Sequence, residues 1–220
     1  IATLTLDNMN FDCSNVGANT VTLTATDANG NINTATATVT VLDAILPTVL
    51  TQNQTIYLDA AGQASITVPM IDNSSFDNCS IATLTLDNMN FDCSNVGANT
   101  VTLTATDANG NVNSATATVT VVDAILPTVL TQNQTIYLDA AGQASITVPM
   151  IDNSSFDNCS IATLTLDNMN FDCSNVGANT VTLTATDANG NINTATATVT
   201  VLDAILPTVL TQNQTIYLDA

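Results

Sequence analysis

Apolar and polar residues alternate with period two through most of this chain. In residues 100–106 (TVTLTAT), Val101, Leu103 and Ala105 occupy one side of an extended backbone and threonines the other. Residues 64–68 (ASITV), 81–86 (IATLTL) and 114–121 (SATATVTV) alternate in the same way, and residues 48–51 and 55–59 read as an interrupted strand after Pro47. A short extended piece is expected over residues 90–93. Turn chemistry separates these runs. Gly62 and Gly97 supply residues able to take positive φ, Pro69 ends a strand, and Asn109-Gly110 suits a hairpin with positive φ at both central positions. No 3.6-residue stripe occurs, so helix content near nil is expected.

The pattern recurs. The segment opening at Ile1, IATLTLDNMNFDCSNVGANTVTLTATDANGN, returns at Ile81 and Ile161 with a period of 80 residues. Three positions separate the first copy from the second: Ile32 becomes Val112, Thr34 becomes Ser114 and Leu42 becomes Val122. About seven short strands per period, with a turn every 8–12 residues, predict an all-β chain of tandem immunoglobulin-like β-sandwich domains. The expected divisions are residues 1–42 as the C-terminal part of one repeat, 43–122 and 123–202 as complete repeats, and 203–220 as the N-terminal part of the next. A β-solenoid would show a rung every 20–30 residues, and no sub-period is visible inside the 80.

Composition narrows the role. The chain has no Lys, Arg, His, Glu or Trp, and its 19 aspartates give a net charge of −19. With no cation to meet phosphate, neither nucleic acid nor an anionic membrane surface is an expected partner. Five cysteines lie at Cys13, Cys79, Cys93, Cys159 and Cys173. The 14-residue spacings predict bridges Cys79–Cys93 and Cys159–Cys173 inside each repeat, each closing a loop worth about 3 kcal/mol. Cys13 would then pair with a residue just before Ile1. No Cys-x-x-Cys motif or Cys/His set supports zinc, and disulfides imply an extracellular, oxidising location, at a cell surface or secreted.

The run Phe91-Asp92-Cys93-Ser94-Asn95-Val96-Gly97, followed by residues 99–107 and Gly110-Asn111, resembles the hyalin repeat (HYR) signature. Asp77-Asn78-Cys79 and the linker 123–127 resemble the form found in large bacterial surface adhesins. The resemblance implies an immunoglobulin-like fold and a role in extracellular adhesion or fibre building. One departure is the further cysteine that many hyalin repeats carry in the last strand, where Ala35, Ala115 and Ala195 stand here.

Catalysis has little to work with. Without His, Lys, Arg or Glu, no serine has a plausible base partner, and no enzyme activity is expected. Carboxylates and amides are hard oxygen donors, which suit calcium. In a sandwich of this kind the incoming linker, the second inter-strand loop and the last hairpin turn share one end. That would gather Asp43, Asp72, Asp77 and Asp107 in one repeat, and Asp123, Asp152, Asp157 and Asp187 in the next, as calcium ligands at each joint. The alternative is that Asp and Asn serve as turn formers, bonding their own backbone. The expected function is a stiff spacer or filament region of a long adhesin or surface fibre. Its expected partners are neighbouring repeats and identical chains. Repeats that each bind a carbohydrate or protein receptor are the alternative.

Overall fold

The computed structural model describes residues 1–219. The chain is all-β and falls into two compact units: Ile1–Leu58 with Gln63–Val122, and Asp59–Gly62 with the chain from Asp123 onward.

In the first unit, β1 (Thr3–Leu6), β2 (Gly17–Thr26) and β3 (Ile32–Val41) form a three-stranded antiparallel sheet. After it come β4 (Gln54–Tyr57), β5 (Gln63–Ser65), β6 (Ile81–Leu86), β7 (Asn90–Asp92), β8 (Gly97–Asp107) and β9 (Val112–Val122). They make a four-stranded sheet in the order β4-β9-β8-β6 and a smaller pair, β5-β7. Strand β4 runs parallel to β9, with Ile56 opposite Val121, and the other neighbours are antiparallel. Single antiparallel bridges, Thr48–Phe76 and Thr51–Asp72, tie the segment before β4 to the loop before β6.

The second unit repeats this plan with β10 (Gln134–Tyr137), β11 (Gln143–Ser145), β12 (Ile161–Leu166), β13 (Asn170–Asp172), β14 (Gly177–Asp187) and β15 (Ile192–Leu202). Its core shows why period-two alternation suffices. Val181, Leu183, Ala197, Val199 and Val201 on the inner face of β14 and β15 pack against Ile146, Ile151 and Phe171, while threonines take the outer face. Each inward residue removes its apolar surface from water, which is the main driving force for closing the two layers.

Two local expectations need correction. The strand expected over residues 64–68 ends already at Ser65, and Pro69 instead sits at the start of a single helical turn over Val68–Ile71, with Pro149 doing the same over Val148–Ile151. Proline at a helix start has no amide hydrogen to lose, and the Met70 carbonyl left over is met by Gln54 Nε2 at 2.7 Å. In the last hairpin only Gly110 has positive φ, at 92°. Asp107 organises that turn instead, its Oδ1 accepting from the Asn109 and Asn111 amides at 2.8 Å.

The disulfide expectation is overturned. Cys79 is bonded to Cys13, with Cα atoms 5.3 Å apart, and Cys173 is a free, exposed thiol. Neither Cys79–Cys93 nor Cys159–Cys173 forms, although Cys93 and Cys159 are both disulfide-bonded. The register of β6 on β8 explains this. Ile81 lies opposite Asp107, so Cys79 sits at the C-terminal end of β8, whereas Cys93 precedes its N-terminal end. Eleven residues of strand separate the two by about 35 Å, far beyond the roughly 4.4–6.8 Å that a disulfide spans between Cα atoms. Cys13, in the short 3₁₀ turn before β2, reaches Cys79 instead.

Candidate functional site

Asp43, Asp77 and Asp107 meet where the β1–β3 sheet hands the chain to the following sandwich. One carboxylate oxygen from each lies within 4.8 Å of the others. Asp107 ends β8 and is buried. Besides its two backbone bonds, its Oδ2 accepts from Asn111 Nδ2 at 2.7 Å. Burial pushes this carboxyl up, and the bonds from Asn111, Asn109 and Gly110 outweigh it, leaving the group below the ordinary carboxylate range.

Asp43, in the linker, is tied to the same turn. Its Oδ2 accepts from Asn109 Nδ2 at 2.7 Å and its carbonyl from Asn111 Nδ2 at 3.2 Å. The Ile45 amide and the Asn109 side chain hold it below its usual range, against burial and the Asp107 charge. Asp77 Oδ2 accepts from the Cys79 amide at 2.8 Å, which places the third carboxylate next to the Cys13–Cys79 bridge. Asn113 Nδ2 adds a bond to the Pro47 carbonyl at 2.9 Å, so the last hairpin grips the linker at three points.

The second unit builds the same group from Asp123, Asp157 and Asp187. Asp123 is buried, with 6% of its surface exposed. Its Oδ1 accepts from the Ile125 amide and Asn158 Nδ2, both at 3.2 Å, but its Oδ2 has no hydrogen-bond partner. Asp157 Oδ1 is likewise buried and unmatched. Asp187 accepts from Asn189, from Asn191 and from the Asn191 side chain. As with Asp107, burial raises it and these bonds prevail, keeping it low.

Two buried carboxylate oxygens without donors are costly unless a cation supplies what the protein does not. The chain has no Lys, Arg or His to do so. An all-oxygen donor set of three carboxylates fits a hard divalent cation such as calcium, and fits zinc or copper poorly.

Asp72 and Asp152 stand apart from these groups. Asp72 Oδ1 accepts from the Ser75 amide at 3.0 Å and from Ser75 Oγ, and Asp152 Oδ1 accepts from the Ser155 amide at 3.0 Å. For these two the turn-forming reading holds. The asparagines Asn109, Asn111 and Asn158, which aim the carboxylates, were not singled out from the sequence. The signal available was their place one to four residues from the predicted ligands.

No family model matches the chain, and no curated protein does. Among solved structures it is similar to the protocadherin gamma B7 extracellular cadherin domains 1–4, at 14% identity and a TM-score of 0.37, over 87% of this chain and 59% of that one. It is also similar to human mucin-like protocadherin EC1-2 (15% identity, TM-score 0.39, 72% and 98% of the two chains). A third likeness is to mouse cadherin-23 EC22-24 (15%, 0.38, 90% and 78%). At that degree of overlap the likeness carries no functional weight, and the function has to be read from the chain's own residues. No helix among the described residues is long and apolar enough to cross a membrane.

Proposed function

We propose that this chain is a load-bearing repeat region of an extracellular adhesin or surface fibre, non-catalytic, acting as a stiff spacer or filament. The observation that carries the reading is the joint at Asp43. There the linker is gripped by the Asn109, Asn111 and Asn113 side chains and locked by the Cys13–Cys79 bridge beside three converging carboxylates. A flexible tether would use a Gly/Ser linker without such contacts. Disulfides support an oxidising, extracellular setting, and the resemblance to hyalin repeats points the same way. Residues 43–122 and 123–202 serve as the repeating modules.

Calcium deepens this reading. Asp43, Asp77 and Asp107, and Asp123, Asp157 and Asp187, would hold it, and its charge would neutralise three like charges that otherwise repel across each joint. Electron microscopy of the oxidised chain in calcium tests the proposal. Straight rods, single or laterally bundled, are expected, and randomly bent chains would contradict it. A second reading, receptor or glycan binding by each repeat, draws on Tyr57 and Phe76, which are 64% and 58% exposed. It requires that Tyr57→Ala and Phe76→Ala abolish binding to a cell or glycan surface.

A further inference from the structure

We propose that the Cys13–Cys79 bridge sets the cation affinity of the Asp43, Asp77 and Asp107 group, so that opening the bridge loosens the ion and a bound ion resists opening of the bridge. The inference deepens the calcium reading above and rests on it. All five residues belong to the first compact unit.

The three carboxylates reach the joint from different parts of that unit. Asp107 is fixed by its own hairpin turn at the end of β8. Asp43 follows the end of β3, where Val41 lies opposite Gly17 at the start of β2. Cys13 opens the 3₁₀ turn Cys13–Asn15 just ahead of Gly17, so it belongs to the same sheet end that delivers Asp43. That turn is itself held, with the Asp12 side chain accepting from the Ser14 amide at 2.9 Å and Asn15 Oδ1 from the Asp12 amide at 3.0 Å. Asp77 lies in the loop before β6, and its Oδ2 accepts from the Cys79 amide. On either side, Phe76 exchanges backbone bonds with Thr48, and the Ser80 carbonyl accepts from the Ala108 amide at 3.1 Å. Residues 77–79 are therefore a short span between two anchored points, and its covalent tie to the β2–β3 end is the bridge. Cutting the bridge frees Asp77 relative to Asp43 and leaves the anchors on both sides in place.

The sign of the coupling follows from charge. Three carboxylates with oxygens within 4.8 Å repel one another, and in the empty group this pushes the Asp77 span away from Asp43, against the bridge. A divalent cation reverses that force. Bridge and ion then favour one arrangement, and the factor by which each strengthens the other is the same in both directions. That such a group answers to a cation rests on a separate observation in its second-unit counterpart. There Asp123, 6% exposed, has no donor at Oδ2, and Asp157 Oδ1 is buried and unmatched.

The test uses the full chain with Cys93→Ser, Cys159→Ser and Cys173→Ser, which keeps Cys13–Cys79 as the one bridge, and with Asp123→Asn and Asp157→Asn, which disables the second carboxylate group. Calcium is titrated by calorimetry into this chain and into the same chain carrying Cys13→Ser and Cys79→Ser. Loss of the bridge should weaken calcium binding by at least about 5-fold. A second measurement equilibrates the bridged chain with reduced and cyclic oxidised dithiothreitol and reads the bridge as the mass added by alkylation of the two thiols. The dithiol delivers two electrons and two protons to the bridge and closes to its own cyclic disulfide. Saturating calcium should shift this equilibrium toward the bridge by the same factor, and Asp77→Asn should shrink the shift. This arm needs no serine at Cys13 or Cys79, so it decides the matter even where that pair does not fold. Equal calcium affinities in two folded chains, or an equilibrium that calcium leaves unmoved, would overturn the coupling while the cation site stands. Absence of calcium binding to the bridged chain would overturn the calcium reading and the coupling with it.

Discussion

At the scale of single residues, the aspartates do different work according to what surrounds them. Asp107 and Asp187 are acceptors that shape a turn and face a joint, whereas Asp72 and Asp152 only close a loop. Among the bonds holding Asp107 low, the one from the Asn111 side chain is foremost. Asn111→Ala should therefore raise the Asp107 titration midpoint, followed by carboxyl-carbon NMR, and an unmoved midpoint would contradict the assignment. Asp7, Asp43, Asp87, Asp92, Asp107 and Asp187 among others are held below the ordinary range when folded. Groups with depressed folded values contribute stability that is complete above their unfolded pKa, near about 3.9, and is lost as pH falls through the folded values. No His, Lys or Arg titrates above them. Thermal midpoints should thus be flat from pH 5 to about 8 and fall below about pH 4; a step near pH 6–7 would be inconsistent with this picture.

At the scale of elements, identical sequences behave differently because their partners differ. QTIY forms β4 at 54–57 and β10 at 134–137, with Ile56 and Ile136 buried, but residues 214–217 form no strand and Ile216 is 84% exposed. A strand needs its ladder and its facing layer, and the sequence of the strand supplies neither. Leu183 and Leu23 hold the same place in the pattern, yet Leu183 is fully buried and Leu23 is 40% exposed. Leu183→Ala should cost about 2–5 kcal/mol in denaturant unfolding, and a cost well under about 1 kcal/mol would contradict its place in the core. Gly97 has φ 111° with open space around its missing side chain, so Gly97→Ala should cost about 1–2 kcal/mol from the backbone alone.

Alternation made the strands legible, residues 81–86 to the residue, and the shared end of the sandwich placed three of the four carboxylates in each group. The cysteine pairing was not legible, because spacing along the chain says nothing of which end of β8 each cysteine occupies. Asp72 was misplaced for a related reason: being in the right loop does not settle which way a side chain turns, and Ser75 claims it.

At the scale of the molecule, covalent and ionic ties act at the same joint. A 66-residue loop is worth about 4 kcal/mol in chain entropy, more than the short loops the spacing suggested, so reduction should lower the thermal midpoint substantially; an unchanged midpoint on complete reduction would show that the bridge is idle. The claim on which the account turns is that the carboxylate groups at Asp43 and Asp123 are cation sites which stiffen the joints. Thermal unfolding of the oxidised chain in calcium and in a calcium chelator tests it most directly. With calcium about 100-fold above its dissociation constant, the midpoint should rise by about 5–10 °C, and Asp123→Asn should shrink the rise. Identical midpoints in calcium and chelator would contradict the account.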